Sequence, residues 1–272
     1  MTFCAADWHD LREARQRLEH PGVAARLTQL VGVPLEKGFA MLPRGVSHQV
    51  LAVTQTALIK ASAAALHTVA NAPGRPAHRR WHQLGVAATG AAGGFFGLAG
   101  LAVELPLSTT LMLRSVAEIA RSEGESLAVQ DTRRACLEVL ALGGKARQVD
   151  PSDSSYFAIR AALASTVSEA GKHLATHKLT VDGAPMLVRL ITAVAKRFGV
   201  QVTEKLAAQA VPALGAAGGA VINTVFLQHF QSMARGHFVV RRLERQHGAA
   251  AVRAAYDSLA DVAAPDRRPG HA

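Results

Sequence analysis

The sequence predicts an all-α protein, a helical bundle built around two glycine-rich, charge-free helical segments. Three observations lead there. Of 272 residues, 49% are hydrophobic but only 5% aromatic, so Ala, Val and Leu carry the apolar content. Alanine has the highest intrinsic helix propensity, and β-branched or aromatic runs that would favour strands are few. The third observation is the pair of segments themselves: no Asp, Glu, Lys or Arg occurs from Trp81 to Val103 or between Lys205 and Arg235.

The elements follow in order. Asp7 to His20 reads as a short amphipathic helix with Trp8, Leu11 and Leu18 on one side, stopped by Pro21-Gly22. Pro34 and Pro43-Arg44-Gly45 punctuate a connection, after which Val46, Val50, Val53, Ala57 and Ala61 recur at helical spacing as far as Val69. Asn71-Ala-Pro-Gly-Arg-Pro76 is the clearest linker. Pro106 opens a strong helix that Gly124 closes, since proline is tolerated in a first turn and glycine favours a C-terminal stop. Asp131 begins another helix ended by Gly143-Gly144. Ser152 to Lys178 and Pro185 to Phe198 read as two more, and Val200 to Gln246 forms the second distinctive region.

The motif GAAGG occurs at 90–94 and again at 215–219. Glycines at spacings of three and four let helix backbones approach closely, a pattern common in membranes. Each glycine costs about 1 kcal/mol of helix propensity relative to alanine, so tight apolar packing has to compensate. The stretch from Trp81 to Val103 would reach roughly 34 Å as a helix, enough for a bilayer core. Its seven strong insertion residues supply only about −3.5 kcal/mol, which makes insertion marginal. Embedding or a re-entrant hairpin is the leading expectation, ahead of burial in a soluble bundle and of surface attachment.

A net charge of +10 favours polyanions, either nucleic acid or an anionic leaflet. Few aromatics and no recognition motif argue against nucleic acid. Cys4 and Cys136 are too few for a disulfide framework, and the charged N-terminus lacks the apolar core of a secretory signal. The expected location is the cytoplasmic side of the inner membrane, with a soluble cytoplasmic protein as the alternative.

The block from Gly90 to Leu127, the run ACLEVLALGG at 135–144 and the stretch from Arg197 to Glu244 together resemble the EcsC protein family. The resemblance implies a helical protein associated with membranes, and it brings no catalytic residues with it. The chain is expected to divide into an N-terminal helical region (1–72), an EcsC-like helical domain (73–262) and a disordered tail (263–272). Ala99, Ala102 and Ser126 depart from prolines and an acidic residue common in the family.

Polar residues beside the charge-free segments are the site candidates. Glu104, Arg114 and Glu118 border the first; Asn223, His229 and His237 interrupt the second. An ionisable group in apolar surroundings is costly unless it is paired or functional. Packing of the two GAAGG segments would bring Glu104 to His229, forming a polar cluster for a metal, a proton or a lipid headgroup. The preferred reading is a structural pair that fixes helix register. Arg75, Arg79, Arg80 and Trp81 suit a headgroup layer. Arg235, Arg241, Arg242 and Arg245 could meet phosphates, although a solvated helix face accounts for them equally simply. Glu169, His173 and His177 share a helix face at zinc-ligand spacing, but lack the glutamate of HExxH and are read as solvated. Cofactors are undetermined, and no nucleophile elbow, phosphate loop or dinucleotide fingerprint is present.

The leading function is therefore a membrane-associated accessory or lipid-interacting protein, with an anionic membrane surface as partner and a helical protein or second copy as further possibilities. One alternative is a metal- or acid/base-dependent hydrolase using Glu104, His229 and His237. The other is a soluble helical interaction module.

Overall fold

The computed structural model describes residues 3–19, 23–32, 35–68, 102–142, 155–176, 184–210 and 215–261. All regular structure among them is helical: α1 (Ala5–Glu19), α2 (Val23–Val31), α3 (Leu35–Met41), α4 (Val46–Thr68), α5 (102–122), α6 (Gln130–Glu138) with a 3₁₀ turn at Val139–Ala141, α7 (Ser155–Thr176), α8 (Ala184–Gln209), α9 (Gly215–His247) and α10 (Ala249–Asp261).

Local chemistry sets several boundaries. The Cys4 amide donates to Asp7 Oδ2 at 2.9 Å, one half of a capping box that starts α1. At the end of α5, Gly124 adopts φ +83°, its amide donates to Arg121 O, and the Glu125 amide reaches back to Ala120 O. Those two bonds form a Schellman stop, and its left-handed residue is the glycine that the sequence marks. α6 tightens into its 3₁₀ turn before Gly143, so the helix ends sooner than the glycine pair suggests. Gly199 does not break α8, which runs unbroken to Gln209 because its flanks pack on both sides.

Two long helices organise the bundle. α8 carries α2, α3, α4 and α7 against its surface, while α9 carries α1 and α10, with α2 touching both. Leu11, Ala14 and Leu18 of α1 are buried on α9 at spacings of three and four. Phe198, Phe226 and Phe230 meet between α8 and α9, with ring centroids 5.1 to 6.0 Å apart in tilted and edge-on arrangements.

Among the described residues no helix is long and apolar enough to cross a membrane. This corrects the expected membrane-embedded or re-entrant bundle. It also corrects what was built on it: the membrane-associated, lipid-interacting role, the anionic membrane partner and the place at the inner membrane. The physical reason is visible on α9, where Phe226, Leu227, Phe230, Met233 and Phe238 are spent inside the protein core. Arg235, Arg241, Arg242 and Arg245 lie along the same helix. The first glycine-rich segment, together with Arg75, Arg79, Arg80 and Trp81, lies outside the described residues, as does the 263–272 tail.

Two close glycine contacts are described, at Gly38 and Gly236. A Cβ on Gly38 would stand 1.9 Å from the Ala207 carbonyl oxygen, so α3 lies with its backbone directly on α8. A Cβ on Gly236 would come within 2.9 Å of Ala14 O and 2.7 Å of Leu18 Cγ, which is how α1 sits down on α9.

Candidate functional site

Among the described residues, three polar centres and a groove could carry chemistry. The first centre lies where α5, α8 and α9 meet. Lys205 Nζ of α8 donates to Glu104 Oε1 at 2.8 Å, and Asn223 Nδ2 of α9 donates to the same oxygen at 3.0 Å. Lys205 is fully buried and Glu104 nearly so. The ammonium also lies 5.5 Å from the centre of the Phe226 ring, within cation–π range. Burial pushes the Glu104 carboxyl up, but the Lys205 charge and hydrogen bonds from Lys205, Asn223 and Ser108 outweigh it and hold the group below its ordinary value. Glu104 is a carboxylate with its charge matched inside the protein.

The second centre joins α7 to α9. Tyr156 Oη is 3.0 Å from His237 Nδ1, and Arg160 binds Glu244 through two bonds of 2.8 and 3.1 Å while also reaching Tyr156 Oη at 3.2 Å. Burial, together with the charges of Arg160 and Arg241, drives the His237 pKa well below its ordinary value. The third centre ties down the turn after α5. Glu125 accepts from Arg241 at 2.9 Å, from Arg245, and from Thr132 Oγ1 at 2.8 Å, and Arg241 also reaches Asp131 at 2.9 Å.

His229 stands apart from all three. It is fully buried, and neither ring nitrogen has a hydrogen-bond partner among the described residues. Burial and the nearby charge of Arg26 pull its pKa down to about 3. It stands six positions beyond Asn223, which at about 100° and 1.5 Å per residue places it roughly 9 Å along α9 and some 120° around it. Glu104 is therefore not on the His229 side; its partners are Lys205 and Asn223. His237 lies a further two turns on. The proposed hydrolase centre of Glu104, His229 and His237 does not form, and the described residues contain no group of three ligands able to hold a metal. The hydrolase alternative is corrected on that ground.

The remaining candidates divide cleanly. Arg114 is half-buried and Glu118 buried one turn further along α5. Arg242 pairs with Asp10 and, at 3.4 Å, with Glu123. Arg241 and Arg245 are committed to Glu125, and Arg235 adds a small pull to that of Arg17, whose hydrogen bond and charge hold the Glu13 carboxyl of α1 below its ordinary value. These arginines bind α9 to its neighbours and meet carboxylates of the chain itself. Of the weak zinc triplet, His177 and the side chains of Glu169 and His173 lie outside what is described. Cys136 is buried, and burial pushes its thiol far above the usual range, away from nucleophilic chemistry.

Sequence reasoning missed Lys205, although it is the last charge before the charge-free stretch and sits among apolar neighbours. It also missed a groove of about 410 Å³ between α7 and α8. Ile159, Ala162, Leu163 and Thr166 form one wall; Arg189, Thr192, Ala193 and Lys196 form the other, with Arg197 behind. Both walls follow the i, i+3, i+4, i+7 spacing of a single helix face. Among the described residues no carboxylate lines the groove, and Arg189, Lys196 and Arg197 make no ion pair. Arg197 donates Nε to Ala141 O at 3.1 Å, and burial alone lowers its pKa, with no countercharge to oppose the shift. The signal was present as three cations at i, i+7 and i+8 within an apolar helix.

No curated protein and no solved structure matches the chain. The EcsC protein family matches residues 5–243, which span α1 through most of α9 and include the groove and every member of the three polar centres except Glu244 and Arg245. The chain belongs to the EcsC protein family.

Proposed function

We propose that this chain is a helical interaction module that holds a partner protein in the groove between α7 and α8. The single observation behind the reading is the groove itself: two helix faces side by side, apolar at the floor, with cations that have no counterpart among the described residues. The three polar centres support it by contrast, because each spends its charged groups on tying helices together. Mostly apolar clefts with a few placed polar groups are where binding concentrates.

A photoreactive residue in place of the exposed Ala162 tests this in the cells that make the protein. The expected result is one discrete protein adduct. The captured protein, once purified, should bind the full chain in a titration, and Ala193→Trp, which fills the groove, should weaken that binding at least tenfold. A purified adduct partner that binds A193W as tightly as the unaltered chain would defeat the proposal.

A further inference from the structure

The partner's own shape and charge are written into the groove. Each wall presents four residues over a seven-residue span, about 10.5 Å or two helical turns. A regular stripe on both sides of a trough is the surface into which a third helix packs, its ridge entering the groove between two others. Ala162, Thr166, Thr192 and Ala193 are small, so an incoming helix can come close, while Ile159 and Leu163 offer apolar contact beneath. Isolated apolar anchors at i, i+3 or i+4, and i+7 are how helices bind in grooves of this kind.

Charge selects among such helices. Arg189 and Lys196 are exposed on the α8 wall one above the other, two turns apart, and Arg197 stands beside Lys196. A helix with carboxylates along one flank would neutralise this wall, whereas one with lysines there would meet like charge at close range. The surplus of +10 over the whole chain adds a long-range pull in the same direction.

We infer that the α7–α8 groove is built for an acidic amphipathic helix, apolar on the face that enters and carrying Asp or Glu on the flank beside α8. The inference rests on the interaction role proposed above and names the chemistry of its partner. A small anionic amphiphile would fit the volume but would make no use of the two helical registers.

The test uses the full chain and two stapled helical peptides of about 14 residues, a length at which unstapled helices are marginal. Both share one apolar face; one carries Glu on its flank and the other Lys. Fluorescence anisotropy should show the Glu peptide binding at least tenfold tighter at low salt, with the gap shrinking as salt rises. Arg189→Glu combined with Lys196→Glu, two surface changes that leave the core intact, should reverse the preference. Equal binding of both peptides, abolished by A193W, would overturn the charge selection while leaving the interaction role standing. Failure of the Glu peptide to bind, or binding of it that is indifferent to A193W, would overturn the inference itself, and the photocrosslinking result then decides the interaction role separately. Dodecanoate binding in the groove more tightly than the Glu peptide would overturn it in favour of a small ligand.

Discussion

Glu104 and Lys205 exchange their water for one another. A pair buried this deeply gains little net stability, since loss of hydration offsets most of the attraction, yet removing one member strands the other. Glu104→Ala or Lys205→Ala should each cost about 3–5 kcal/mol in urea denaturation. The double variant Glu104→Leu with Lys205→Met should recover most of that loss, because no unpaired charge is left inside. A double variant as unstable as either single one would show that the pair does more than match charge. Part of this centre was legible in advance: Glu104 and Asn223 stand out as polar groups against apolar surroundings. Lys205 did not, because its partner is 101 residues away and only the packing of α5 on α8 brings them together. The expected His229 partner failed for a reason of helical phase. The two GAAGG motifs suggested equivalent positions, but a residue six places beyond Asn223 faces another side of α9.

At the scale of elements, the sequence announces helices and where many of them stop, through Gly124 and the prolines, more readily than which faces touch. Alanine-rich segments carry weak directional signals, so the stripe that will be buried is set by neighbours. The glycine argument shows this well. Close backbone approach was expected at GAAGG, whose first copy lies outside the described residues; the close approaches that are described involve Gly38 and Gly236, isolated in sequence and unremarkable by spacing. Gly38→Ala would push a methyl group into the Ala207 carbonyl, which cannot retreat without moving α8. Gly236→Ala meets Leu18, which can rotate, as well as Ala14 O. Overpacking of this kind costs typically about 1–3 kcal/mol, and G38A should fall at the upper end and G236A below it in thermal unfolding. A G38A protein as stable as the unaltered one would mean that α3 is not seated on α8 as described.

For the molecule as a whole, acid should be the condition that unfolds it, in two stages. His229 and His237 are held neutral in the fold, His229 with a pKa of about 3, so below pH 6.5 the unfolded chain binds protons that the folded chain refuses. Stability then falls with falling pH, by up to about 1.4 kcal/mol per unit for each histidine. Glu104, Glu125 and Asp131, whose folded pKa values lie below the ordinary range, contribute stability that is present above the usual carboxylate pKa and lost as pH drops through their lowered values. Glu138, pushed up by burial, acts in the opposite sense. Urea titrations from pH 7 to 4 should show this decline, and His229→Leu should flatten the upper stage while staying within about 1 kcal/mol at pH 7, where the buried ring makes no bond to lose. An H229L protein with an unchanged slope would place the acid sensitivity elsewhere.

The seating of α1 on α9 bears on how the chain comes off the ribosome. Asp7 meets His247 at 3.1 Å, Arg15 donates to Tyr256 O at 2.9 Å, and the Tyr256 hydroxyl donates to Glu19 at 3.1 Å, so α1 is clasped by α9 and α10, which are made much later. At ordinary rates of synthesis, on the order of ten seconds or more separates their emergence. Throughout that wait Leu11, Ala14 and Leu18 have no surface to lie on, and the newborn protein depends on whatever shelters them until α9 arrives.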